Sequence, residues 1–262
     1  MAPPVLWQFR FSHFNEKARW ALDWKGIGHV RRSLLPGFHV PRVLWMTGQK
    51  SLPVLVLDEE TIHDSTRIIE RLERVRPEPA LYPADATERR RALALEEFFD
   101  EELGPHVRRA LFYELLPETE FAAAAFTLGC GPATRRVYRA LFPALRVVMN
   151  ADMKIDAARA AHSREKVLAA LDRIEAELQP SGYLVGDRFS VADLTAAALL
   201  APVVFPPEFP YPPPGPLPAP VARWCDSLAG RPALRWTAEM YRRHRGTSAE
   251  IPVQRRKAPP GS

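Results

Sequence analysis

Three prolines fall within seven residues, at Pro77, Pro79 and Pro83, and the chain reads differently on either side of them. Proline removes a backbone donor and restricts its predecessor, so such a cluster ends regular structure and marks a linker. Before it, the period of the apolar residues alternates. Val5, Trp7, Phe9 and Phe11 interleave with Leu6, Gln8 and Arg10, a strand pattern. From Phe14 the period turns helical: Phe14, Ala18, Ala21 and Leu22 share one side, Lys17, Arg19 and Asp23 lie elsewhere on the wheel, and Gly26 stops the run. "HVRRSLL" (29–35) reads as a second strand and "HVPRVLWMTG" (39–48) as a short, irregular helical stretch. "LPVLVLD" and "TIHD" read as two short strands joined by an acidic turn. In the helix expected from Ser65 to Val75, Ile68, Ile69, Leu72 and Val75 form one face.

After Asp85 the pattern is helical throughout. Leu95, Phe99 and Leu103 share a face, and a bend is expected at Gly104-Pro105. Residues 118–132 read as irregular, and 133–178 regain the helical period through Val167, Leu171, Ile174 and Leu178. "SVADLTAAALLA" (190–201) is apolar nearly all round and predicts a short buried helix that breaks at Pro202. Residues 206–220 form a proline-rich loop of polyproline character, followed by closing helices over 220–229 and 232–244. The fold class is therefore α+β. A β-α-β-α-β-β-α domain spans 1–80, an all-α domain spans 81–248, and a basic flexible tail spans 249–262.

Composition narrows the function. The net charge of +5 is concentrated near the C-terminus, in "YRRHRG" (241–246) and "QRRK" (254–257), and reads as a solvated tail. Without interleaved aromatics on a nucleic-acid-binding scaffold, no nucleic-acid partner is expected. Cys130 and Cys225 form no CxxC, and the seven histidines make no paired-ligand motif, so no metal is expected. Two isolated cysteines and the lack of a leader pattern fit a cytoplasmic protein. No apolar run reaches the ~20 residues of a membrane span.

Three local signals are more specific. "SLPVLV" places Pro53 after Leu52 and before Val54; "HDSTRII" follows ten residues on, with Asp64-Ser65 opening a helix. "GDRFSVADLTAA" holds a capping box, Ser190 with Asp193 at N3, and a Phe189–Leu194 staple. With the domain order, these residues make the chain resemble the glutathione transferase superfamily. The resemblance implies a thioredoxin-like, glutathione-binding first domain. It implies a cis Leu52–Pro53 bond that turns the Val54 backbone to the cysteinyl part of glutathione. Asp64 and Ser65 would receive the γ-glutamyl carboxylate at a helix N-terminus, and Gln49 and Lys50 the glycyl carboxylate. It also implies a homodimer. Each residue has a plainer reading beside this one: Pro53 as a trans proline opening a strand, Asp64 or Ser65 as a simple cap. Ser190 and Asp193 are folding machinery on either reading.

The turn "SHFN" (12–15) stands where thioredoxin-like folds carry CxxC. Ser12 and Asn15 occupy the cysteine positions, so disulfide exchange by this motif is excluded. With no tyrosine in the first turn, a tyrosine-type mechanism is excluded as well. Two roles remain for Ser12: a hydroxyl donor that stabilises the glutathione thiolate, as in serine-type relatives, or an N-cap. His13 is a second donor or a surface turn residue, and Asn15 an amide donor or a first-turn residue. Arg19 is expected in a structural ion pair. Phe112, Tyr113, Phe121 and Phe126 are candidate walls of an apolar second-substrate pocket, or ordinary core. The function expected is an enzyme that binds glutathione as co-substrate and adds its thiolate to an apolar small molecule. The rival is a non-catalytic member serving as an interaction or ligand-binding module. A basic protein acting at anionic surfaces through its tail ranks last.

Overall fold

The structure, a computed structural model, describes residues 2–252. Its first domain runs β1 (Val5–Gln8), α1 (His13–Trp24), β2 (Val30–Ser33), α2 (Val40–Thr47), β3 (Val54–Leu57), β4 (Glu60–His63) and α3 (Ser65–Val75). The sheet order is β2-β1-β3-β4, with β1 and β2 parallel and the other pairs antiparallel. Alternation sorts its two faces. Leu6, Leu55 and Ile62 stand in register in the core with Ala18, Leu22, Ile68 and Leu72 of α1 and α3. Trp7, opposite Arg32 and Val54, points to the other face.

The helical domain comprises α4 (Ala86–Glu102), α5 (Gly104–Leu115), α6 (Thr119–Phe126), α7 (Pro132–Asp152), α8 (Ala157–Glu177), α9 (Val191–Val204), α10 (Ala219–Leu228) and α11 (Pro232–His244). The thioredoxin-like plus all-α architecture expected from the sequence is the one observed.

Four local expectations are corrected. The bend at Gly104-Pro105 is a full break, with Leu103 between two helices. Gly104 is needed there, because a Cβ would sit 2.4 Å from Cζ of Phe14. Residues 119–126 are helical, not irregular; the alanine run gives little periodicity, but Ala122, Ala123 and Ala125 are buried. Helix α9 continues through Pro202 to Val204, since packing on every side outweighs one lost backbone bond. The basic stretch 241–246 is not a solvated tail. Tyr241 and Arg245 are buried, and residues 249–251 dock beside β2, where the Ile251 N–H donates to the His29 carbonyl at 2.7 Å. The rest of the expected tail, from 253 on, lies outside the described residues.

Helix α1 departs furthest from its wheel. It has no solvent face, and ten of its twelve residues are buried. Lys17 bonds Glu96 (2.8 Å) and Asp100 (2.5 Å) of α4. Arg245 reaches Glu16 (2.6 Å) and Asp23 (2.8 Å), and Asp23 also receives Arg31 (2.6 Å). Buried charges are tolerated only when paired in this way.

Candidate functional site

The turn between β1 and α1 is held from beneath by Arg19. Its Nε donates to Glu16 Oε2 (2.7 Å), its Nη1 to Gln8 Oε1 (2.7 Å) and Phe9 O (3.2 Å), and its Nη2 to Arg10 O (3.2 Å) and Ser12 O (3.3 Å). Arg19 is thus paired structurally, as expected, and its fork shapes the loop that presents Ser12. Ser12 is half-buried and caps α1, its Oγ accepting the Asn15 N–H at 3.4 Å. Asn15 is wholly buried; Oδ1 accepts the Phe9 N–H (3.2 Å), while Nδ2 has no partner among the described residues. His13 is buried too, with Nε2 3.0 Å from the Gly104 carbonyl, which overturns its reading as a surface turn residue. Burial, with Arg108 nearby, lowers its pKa to about 3, so the ring is neutral near pH 7.

Strand pairing brings distant segments to the end of the sheet next to this turn. Trp7 of β1 pairs with Val54 at the start of β3, and Val54 pairs with His63 at the end of β4. The Leu52–Pro53 bond is cis. Asp64 caps α3, its Oδ1 accepting the Thr66 N–H (2.8 Å) and the Arg67 N–H (3.4 Å); Ser65 is the first helical residue and is buried. Ser12, Val54, Asp64 and Ser65 therefore border one end of the sheet. Gln49 and Lys50 are engaged elsewhere. Gln49 Nε2 donates to Thr47 Oγ1 (3.1 Å) and Ser51 O (3.0 Å), and exposed Lys50 pairs with Asp152 at the end of α7.

The helical domain adds a roof that the sequence did not announce. The Tyr211 hydroxyl, from the proline-rich loop, accepts a bond from Gln8 Nε2 (2.9 Å), and its ring lies 5.0 Å from the Arg19 guanidinium and 5.3 Å from that of Arg10. Arg10 Nη1 donates to Leu128 O (2.5 Å), and Gly129, at φ +79°, has no room for a Cβ beside that guanidinium. Next to the turn, Phe11, Phe112, Phe121, Phe126, Phe205 and Phe209 line an apolar cavity of about 30 Å³. That is a water's share of volume, not an organic molecule's. Three of the four proposed walls are there; Tyr113 is not, its ring lying 5.9 Å from the Arg164 guanidinium.

The Ser190–Asp193 box is formed as read: Asp193 accepts from Ser190 N (2.9 Å), Ser190 Oγ (2.8 Å) and Leu184 N (2.8 Å). Burial pushes its carboxyl up to about 6. Among the described residues no group of three or more His, Cys, Asp or Glu side chains is placed to hold a metal, and no helix is long and apolar enough to cross a membrane.

Known proteins resemble this chain in sequence and in fold. The family described as "Glutathione S-transferase, N-terminal domain" matches residues 6–80, and "Glutathione S-transferase, C-terminal domain" matches 156–235. Together they cover more than half of the chain. Glutathione S-transferase TCHQD of Arabidopsis thaliana is 27% identical over 220 residues, 75% of each chain. A glutathione S-transferase from Rhodospirillum rubrum shares the fold with a TM-score of 0.57 at 22% identity, over 89% of this chain and 91% of that one. Another, from Methylobacterium radiotolerans and crystallised with glutathione sulfonate, gives 0.54 at 21% identity over 90% and 95%.

Proposed function

Because the chain belongs to the glutathione S-transferase superfamily, we propose that it binds glutathione at the sheet end bordered by Ser12, Val54 and Asp64-Ser65 and adds the bound thiolate to an apolar electrophile. The observation that carries this reading is the state of Ser12. Its oxygen accepts one long bond from Asn15, and its own proton is given to no described residue. A hydroxyl donor at the α1 N-terminus suits a thiolate, because donor and helix dipole both favour the charged form. A free thiol of pKa ~8.5 is mostly protonated near pH 7, so lowering it by a unit multiplies the nucleophile severalfold.

The other residues divide in this reading. The Val54 backbone pairs with the peptide of glutathione as an added strand, and Ser65, whose N–H the Asp64 cap leaves untaken, meets the γ-glutamyl carboxylate at the α3 N-terminus. Asn15 Nδ2, buried and without a partner among the described residues, is the second donor. His13, neutral and bound to the Gly104 carbonyl, is a strut between the domains. Lys50 meets the glycyl carboxylate only by sharing itself with Asp152, and Gln49 by leaving its own loop. The active form is a cytoplasmic homodimer.

One observation favours the non-catalytic reading: the apolar cavity beside the turn, which Phe205 and Phe209 help to line, measures only about 30 Å³. A calorimetric glutathione titration from pH 5 to 9, with thiolate absorbance followed in wild type and Ser12→Ala, separates the two. Binding with a lowered thiol pKa that rises in Ser12→Ala is expected. Binding with an unshifted thiol leaves a carrier, and no binding at millimolar glutathione removes the transferase reading.

A further inference from the structure

The sheet face opposite α1 and α3 carries a second cleft, open to solvent, of about 450 Å³ between the strands and α2. Small-molecule sites have volumes of this order. Its walls alternate cation and indole. The Arg32 guanidinium lies 5.4 Å from the Trp7 ring, and that of Arg42 lies 4.8 Å from Trp7 and 5.1 Å from Trp45. Trp45 is 77% exposed, a large indole to leave in water.

The charges here are unbalanced. Most other basic side chains around the sheet have carboxylate partners: Lys17, Lys25, Arg31, Lys50 and Arg71 all make ion pairs. Arg32 and Arg42 make no ion pair with any described residue, yet both line one cleft. Stacking covers the flat faces of a guanidinium and leaves its edge N–H donors free, in the fork that grips a phosphate. Two such forks beside an open indole are complementary to a flat ring joined to a doubly charged head.

We infer that this cleft is a binding site for a planar aromatic phosphate monoester, with the phosphate between Arg32 and Arg42 and the ring against Trp45. The site lies on the face of the sheet away from the α1 turn and does not depend on the transferase reading. Arg32, Arg42 and Trp45 are exposed, so changing them leaves the core intact.

The test is calorimetry with 1-naphthyl phosphate on the full chain. Saturable binding is expected. It should weaken about tenfold in Arg42→Gln, the equivalent of one charge-assisted hydrogen bond, and by a similar factor in Trp45→Ala, as for stacked bases. Inorganic phosphate and 1-naphthol should each bind far more weakly, and excess glutathione should leave the affinity unchanged. The proposal fails if 1-naphthyl phosphate does not bind at millimolar concentration or if both variants bind like wild type. It also fails if 1-naphthol binds equally well or glutathione displaces the probe.

Discussion

Helices α1 and α9 pack against each other at the centre of the molecule and are buried by opposite means. In α9 every residue from Val191 to Val203 is buried, and all but Asp193 and Thr195 are apolar. In α1 the buried set includes Glu16, Lys17, Arg19 and Asp23, each held by ion pairs. A non-directional, area-dependent force secures the first. Directional contacts, worth little net but costly when halved, secure the second. Interior position is thus reached either by avoiding charge or by matching it, and the two fail differently.

The largest effect should come from halving a match. Arg245→Met leaves Glu16 and Asp23 with one cation fewer inside the protein and should cost about 3–5 kcal/mol in urea unfolding. A loss under 1 kcal/mol would mean that α1 is not held by this network. The apolar counterpart, Leu199→Ala in α9, should cost about 3 kcal/mol through its cavity, with no dependence on pH between 5 and 8.

One titratable group on each helix, Asp193 on α9 and His13 on α1, sharpens the contrast. Burial lifts Asp193 of α9 to about 6, above its unfolded value. Its contribution to stability is therefore full below pH ~4 and lost as pH rises through 6, a change of about 3 kcal/mol that Asp193→Asn should abolish in urea titrations. His13 of α1 runs the other way. Lowered to about 3, it stabilises fully above pH 6.5, and that contribution falls by about 2 kcal/mol between pH 6.5 and 5. His13→Gln should flatten this acid limb. The smallest effect belongs to an exposed pair: Arg74→Met, which removes the contact to Glu70 on the surface of α3, should change stability by about 0.5 kcal/mol or less.

The same contrast explains what could be read from the residues alone. Helix α9 was legible because an apolar run reports its own burial, and α3 because Ile68, Ile69 and Leu72 repeat on one face. The proline linker and the strand alternation of β1 were equally local. Helix α1 misled, since a wheel with Lys17, Arg19 and Asp23 reads as having a wet side. Whether a charge is solvated or matched depends on residues such as Arg245, which no local pattern includes. The site divides likewise. Ser12 and Asp64 stood out as helix-starting residues near recognisable strands, and Asp64 proves to be the α3 cap. Tyr211 did not, because its partner Gln8 lies 203 residues earlier. Arg10 was hidden for a similar reason: it meets Leu128, and only the glycine at 129 hints at something passing close.

The docking of Arg245 and residues 249–251 against α1 and β2 has a consequence for how the protein is made. By residue 80 the ribosome has supplied every strand of the sheet and every helix that flanks it, yet the first domain is complete only in shape. Glu16 and Asp23 then have Arg19 and Arg31 alone to face, and Lys17 still lacks Glu96 and Asp100. The domain synthesised first is the one that finishes last, and a nascent chain halted before residue 245 carries a sheet whose central helix waits, only partly compensated, for a cation not yet translated.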